Sequence, residues 1–555
     1  MASMILPGTY IEVRPEGLIR PGQVTVGTVG VIGTAAKGPI GVSTTVSDFT
    51  EAKQKFYEYD PWVDGNSSEL TLVRALEQVF NHGAVSVLAV RVAGSSKAAA
   101  TYTLKSAGGN CVQLTATSAG TWGNDLTINV SAADDDALIS GEKHAGNDLT
   151  LKRKPVVKSA RNRVQLHVDA TNVTKFLQIV YDGDPGPTAG QVKVDRTSGA
   201  MNFFAAEAPV AADKITASYL VDKSKAVKVT LQLDQAKQVF TAVDGQNLID
   251  GLADPDTGST WVNGTPLANV AELPSLSAPS GSVANFKNGD SGAAASAVDY
   301  QNGLSAILNE EAHIIVAAGQ NDVSFGAALD QHCQLASTDS IKHDRIGVIG
   351  SRLSATVDDL RGHNLDSDRI IFVAPGITTT DVTGDDVTLP GAYTAAALAG
   401  LLSSLPAHFS PTNKEMSAKD IQHYYTNPEL EQLVKARVLA VERHSGFRIV
   451  KGITTTTGSA FSQITTRRIV DYAKFGVRSA ADPFIGLLNN ERVRGALRTS
   501  INTFLAQMVK DEMLIGYQLD VSATRDEQIQ GIARVTMTLQ PVFSIDFIKV
   551  TMFLE

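Results

Sequence analysis

Val535-Thr536-Met537-Thr538-Leu539-Gln540, then Pro541, then Val542-Phe543-Ser544-Ile545-Asp546-Phe547-Ile548-Lys549-Val550-Thr551-Met552-Phe553-Leu554-Glu555, reads as β-strand with Pro541 as its only punctuation. Val535, Met537 and Leu539 alternate with Thr536, Thr538 and Gln540, and Ile545 and Phe547 keep the odd-numbered phase. Val550, Met552 and Leu554 then move the apolar face to even numbers. Side chains on a strand repeat every two residues, so a slip of one predicts a bulge or two consecutive strands. Thr9-Tyr10-Ile11-Glu12-Val13-Arg14, bounded by Pro7-Gly8 and Pro15-Glu16-Gly17, predicts a strand near the other end. Terminal segments fray unless tied down. Both are therefore expected to find a partner, in their own sheet or by strand addition on another molecule.

Working inward, Val24–Gly33, Ser86–Val92, Ile314–Ala318, Ile346–Gly350 and Ile370–Ala374 are short apolar runs of the kind buried on both faces of a sheet. Helical spacing separates them at Leu70–Phe80, Ala294–Leu308, Phe325–Leu335 and Val357–His363, with Ser68 the expected cap of the first. Strands alternating with helices predict βαβ units and a parallel or mixed sheet. From residue 96 to about 287 this pattern gives way to short alternating runs: Val164–Val168, Val192–Val194 and Ala226–Leu233. The Asp182-Gly183-Asp184-Pro185-Gly186-Pro187 cluster marks a turn among them. The expected architecture is an α/β core (a mixed sheet with flanking helices) at 21–95 and 288–430, interrupted by an all-β outer module at 96–287.

Composition narrows the function classes. At 555 residues, the chain has room for roughly three to four domains. With 43% hydrophobic and 19% charged residues it is globular, not disordered. The net charge of −10 argues against a general nucleic-acid binder. No apolar run reaches the length of a membrane span; Ala395–Leu402 is too short. No basic segment precedes an apolar one near the start, so a secretory signal is not expected. Cys111 and Cys333 form no C-x-x-C motif and read as reduced thiols, with a bridge left open on geometry.

Catalytic patterns fail on inspection. Gly289-Asp290-Ser291-Gly292 resembles a nucleophile loop, but no His and Asp motifs accompany it, and Ser291 reads as a helix cap. Gly33–Gly41 lacks the G-x-x-x-x-G-K-[ST] of a phosphate loop. Asp134-Asp135-Asp136 lacks EF-hand spacing and reads as a solvated loop. The ten histidines show no paired metal spacing, and His313 reads as a strand-end residue. No catalytic residue, metal or cofactor is expected.

Charge is distributed unevenly. Residues 431–515 hold 13 Lys plus Arg against 7 acidic residues, a local excess of +6 that leaves −16 for the rest. Within Asn490–Met508, helical spacing places Val493, Leu497, Ile501, Phe504, Leu505 and Met508 on one face. Arg494 and Arg498 stand beside it. Arg467, Arg468, Arg492, Arg494 and Arg498 are thus candidates for docking onto an acidic surface, weighed against an ordinary solvated face.

Met4-Ile5-Leu6-Pro7-Gly8-Thr9-Tyr10-Ile11-Glu12-Val13 resembles the opening of contractile tail sheath proteins of tailed bacteriophages and related injection machines. The resemblance continues in Val29–Pro39, in Phe80-Asn81-His82-Gly83 with Val87–Val92, and in Ala119–Asp125. It resumes in Gly452-Ile453-Thr454-Thr455 and Thr465-Thr466-Arg467-Arg468-Ile469-Val470-Asp471-Tyr472. It covers about residues 4–130 and 285–555. It implies an N-terminal linking arm at 1–20, an α+β sheath domain at 431–530 facing an inner tube, and a C-terminal strand arm at 531–555. Thr9, Ile11, Val13, Val550, Met552 and Leu554 would be the intersubunit strand residues. The implied assembly is stacked six-fold rings around a tail tube, with baseplate and tail terminator as further partners and neither nucleic acid nor membrane insertion. Such a subunit would be made in the host cytoplasm and end in the virion. The alternatives are another tube-forming virion protein, or a cell-wall hydrolase whose β module binds substrate.

Overall fold

The computed structural model describes residues 27–553. They form two compact units: residues 95–293 with 36–38, and the remainder. The expected N-terminal arm with Thr9, Ile11 and Val13, and Leu554 at the other end, lie outside the described residues.

The larger unit is organised by a nine-stranded sheet. Its order is Ser43–Val46, Val87–Val92, Val29–Thr34, Ile314–Asn321, Ile346–Gly350, Ile370–Ala374, Leu439–Arg443, Phe447–Ile449 and Glu415–Met416. The six strands from Val87–Val92 to Leu439–Arg443 pair in parallel, and the flanking ones are antiparallel. Every residue of Ile346–Gly350 and Ile370–Ala374 is buried, because helices cover both faces of a parallel sheet. Thr71–Asn81 and Gly391–Ser404 are two of these helices. The second contains the alanine-rich run and is buried along almost its whole length. A Cβ at Gly400 would come within 2.2 Å of the Val79 carbonyl, so the crossing requires glycine there. Among the described residues no helix is long and apolar enough to cross a membrane.

Two expected caps fall elsewhere. The helix expected at Leu70–Phe80 begins at Thr71, after Leu70 and with no side-chain cap, so Ser68 does not serve it. Ser291 precedes the next helix by several residues; Ser296 caps Ala297–Ala306 in a reciprocal box with Asp299.

The smaller unit holds sheets of six, four and three strands. Val227–Leu233 shows their logic: Val227, Val229, Leu231 and Leu233 are buried and the residues between are half-exposed. Ile139, Leu166, Leu177, Ile215, Tyr219 and Val221 belong to its apolar core. The unit is not all-β, however. Gly245–Leu252 forms a helix, capped by Asp244 and anchored by Leu248 and Leu252.

In the C-terminal part of the larger unit, helices Ile464–Ala481 and Glu491–Lys510 pack together beside a hairpin, Leu514–Ser522 with Arg534–Pro541. Ile469, Ala473, Ile501, Phe504, Leu505 and Met508 form the core between them. A Cβ on Gly476 would lie 1.9 Å from the Phe504 ring, so this crossing too depends on glycine.

Candidate assembly interface

The hairpin is a two-stranded sheet with no further strand on either edge among the described residues. Its cross-strand pairs Tyr517–Leu539, Leu519–Met537 and Val521–Val535 point to the helix side. All of them are only half-buried, and the opposite face, with Gln518, Asp520, Thr536 and Thr538, is open to solvent. A two-stranded ribbon is marginal in water, and free edges are templates for pairing with another chain.

The strand stops at Pro541, and residues 542–553 form no ladder among the described residues. Of the bulged strand or two consecutive strands expected over this stretch, only the part up to Pro541 is paired among the described residues. Beyond Pro541 the chain runs close to the helices. Gln463 donates an amide hydrogen bond to Asp546 at 3.2 Å, and Lys451 lies over the Phe547 ring. Its apolar side chains face water all the same. Ile545 is 81% exposed, Phe547 83%, Val550 72% and Met552 85%. Contiguous apolar exposure on this scale is characteristic of interaction surfaces.

The five arginines separate into two groups. Arg467 and Arg468 are buried. Arg467 binds Asp368 at 2.8 Å and Asp471 at 2.7 Å, with its guanidinium over the Phe461 ring. Arg468 donates to the carbonyls of Leu405 and Pro406, and burial pushes its pKa down to about 10. Neither can be part of an exposed docking patch. Both hold their helix to the rest of the unit. Arg492 and Arg498 are exposed near the start of Glu491–Lys510, and Arg494 is half-buried, donating to the Asn489 side chain at 2.8 Å. Beside them the loop ending at Asn490 leaves Ile485 and Leu488 more than three-quarters exposed or close to it, at 78% and 75%.

A largely buried ionic lattice joins helix Ile464–Ala481 to the residues leading into strands Ile346–Gly350 and Ile370–Ala374. Asp344 receives Lys474, Arg478 and Arg369, and Arg369 also binds Asp471 at 2.9 Å. The Arg467–Asp471 spacing of one helical turn was a legible sign of such a pair. The links to Asp344 and Asp368 were not, because those acids lie far away in sequence.

Other candidate residues are structurally committed. The Ser291 hydroxyl accepts the Thr121 backbone N–H at 3.2 Å. Asp134 pairs with Lys228 on the surface. His313 is half-buried near Arg345, and desolvation first and that charge second push its pKa down to about 4. An open cleft of about 570 Å³ is lined by Asp322, Arg352, Asp358, Asp359 and His363. Its acids have local roles: Asp359 accepts from Thr356 and Arg352, and Asp358 from Arg361. Among the described residues no group of His, Cys, Asp and Glu is placed to hold a metal. Cys111 and Cys333 are both free and buried, so no bridge joins them.

Residues 293–455 match the central domain of the phage tail sheath protein, and residues 456–555 match the phage tail sheath C-terminal domain. The tail sheath protein of Bacillus phage SP01 is 29% identical over 167 residues, which span 28% of this chain and 29% of that protein. The fold is similar to the sheath tail protein of Listeria innocua, with a TM-score of 0.60 at 15% identity over 95% of each chain. It is also similar to that of Desulfitobacterium hafniense, with a TM-score of 0.58 at 15% identity over 96% of this chain and 100% of the other. Residues 293–555, the central and C-terminal regions of the chain, thus match two consecutive domains of phage tail sheath proteins.

Proposed function

We propose that the chain is the repeating subunit of a contractile tail sheath, which polymerises as stacked hexameric rings around an inner tube. The observation that carries this reading is a two-stranded hairpin and an apolar C-terminal segment in the same domain, neither of them paired further among the described residues. Each subunit then lends strands through Val550, Met552 and Leu554, and through Thr9, Ile11 and Val13, and receives its neighbours' strands on the hairpin edges. Strand addition supplies backbone hydrogen bonds, and the alternating apolar side chains extend the half-covered inner face. A donor surface that differs from the acceptor surface is heterologous, and such contacts propagate into helical assemblies. Contraction in this reading releases packing free energy stored in a metastable extended lattice, while the exchanged strands keep subunits linked. The structural character of the family fits work done by subunit rearrangement. The inner tube meets the basic surface of Arg492, Arg494 and Arg498, and baseplate and terminator proteins close the two ends. Assembly takes place in the host cytoplasm, and the product is part of the virion.

Removing Ser544–Glu555 tests the reading. The expected product is a soluble, cooperatively melting subunit that forms no tubes in negative-stain images. Normal tubes from this truncation would overturn strand exchange. Val550→Pro removes one ladder donor and is expected to weaken assembly without abolishing folding.

A further inference from the structure

His144 lies on strand Ala137–Ala145 of the smaller unit, with its side chain wholly buried. One ring nitrogen, Nε2, is 2.8 Å from Glu142 Oε1, and the other, Nδ1, is 2.9 Å from Asp148 Oδ2. A neutral imidazole has one N–H and one acceptor nitrogen, so it can satisfy only one carboxylate. Two facing carboxylates require either an imidazolium or a carboxyl proton.

Glu142 does not supply that proton. Its carboxylate accepts from His144, from the Lys152 backbone N–H at 2.9 Å, from the Tyr219 hydroxyl at 3.1 Å and from Arg153 at 3.3 Å. Those contacts occupy the roughly four lone-pair positions of an ionised carboxylate. Asp148 is 47% exposed, so water stabilises its charge as well. The surroundings complete the charge balance: Arg153 also binds Asp244 at 2.7 Å, and Asp213 is engaged by the backbone N–H groups of Asp169 and Val210. Lys143 points to the opposite, exposed face of the strand.

We propose that the inserted unit folds around a trapped proton, with His144 held as an imidazolium between Glu142 and Asp148, so that loss of this proton as pH rises loosens the unit. The direction of its titration agrees: the hydrogen bond to Glu142, more than the opposing effect of burial, raises the histidine pKa. A group whose folded pKa is raised stabilises the fold below its unfolded pKa, and that stability is lost as pH rises through the folded value. The inference is independent of the sheath reading.

Deuterium exchange at the C2 position of each histidine, followed by mass spectrometry of peptides from the full chain, measures each titration separately. His313 and His332, both pushed down to about 4 chiefly by burial, are controls within the same chain. The expected midpoint for His144 lies above the ordinary value of about 6.5. Asp148→Asn, at a half-exposed position, is expected to fold and to move that midpoint downward. A wild-type midpoint at or below the ordinary value would overturn the proposal. A raised midpoint that Asp148→Asn leaves unchanged would overturn the two-carboxylate clamp.

Discussion

Strand Ile370–Ala374 buries all five of its residues, whereas Val227–Leu233 buries every second one. The first sits inside a parallel sheet with helices on both faces, and the second belongs to an antiparallel sheet with one face toward its core. The difference extends to histidines largely withdrawn from solvent. In the larger unit His313 and His332 lie near Arg345, which with desolvation favours their neutral form, while in the smaller unit His144 faces two carboxylates that favour its charged form. One chain thus uses two ways of making an interior, and each responds to sequence change and to pH in its own way.

The largest test of this contrast replaces Lys97–Asn285 with a short Gly/Ser linker. The larger unit is expected to keep a cooperative melt, since its sheet and helices are built from residues outside that span. Unfolded or wholly aggregated product would show that the two interiors depend on each other. At the level of single residues, Ile371→Ala and Leu231→Ala, both fully buried, are each expected to cost about 2–5 kcal/mol in chemical denaturation. The contrast appears at the neighbouring positions. Phe372→Ala should be as damaging as Ile371→Ala, while Thr230→Ala should stay within about 0.5 kcal/mol. Equal sensitivity at Thr230 and Leu231 would remove the distinction.

The histidines should act on the two units in opposite directions as pH changes. His313 and His332 are neutral when folded and bind protons more readily when unfolded. The larger unit therefore loses stability as pH falls from about 6.5 toward about 4. The smaller unit loses the His144 contribution as pH rises. Region-resolved amide exchange should show peptides around Ile314 and Ile346 opening first in acid, and peptides around Ala137–Ala145 opening first in base. The smallest effect concerns the surface. Arg494→Glu with Arg498→Glu should reduce decoration of an acidic tube at low salt while leaving self-assembly intact, because exposed pairs contribute only about 0–1 kcal/mol each. Unchanged decoration would make these arginines a solvated face.

The core strands were legible because their code is local. Ile346–Gly350 and Ile370–Ala374 appear at the bounds that their apolar runs predict. The helix Gly245–Leu252 was missed: eight residues carry only two apolar anchors one turn apart, too few to stand out among alternating strands. Arg467 and Arg468 were misread for a different reason. A positive charge in sequence says nothing of whether a distant carbonyl or carboxylate will bury it, and Leu405, Pro406 and Asp368 come together with them only in the fold. The C-terminal segment is a third case. Its alternation reads as strand, yet its pairing partners are not supplied among the described residues, so local pattern and local structure part company there.

The ionic lattice around Asp344, Arg369 and Asp471 has a mechanical consequence. These three side chains are almost entirely withdrawn from solvent, at 4%, 6% and 12% exposure, so dissolved ions screen them far less than surface charges. Concentrated salt that detaches subunits from one another should leave the joint between helix and sheet stiff. A tug on the terminal segment, passed through the hairpin and helices, would then reach the central sheet undamped, as through a rigid lever arm.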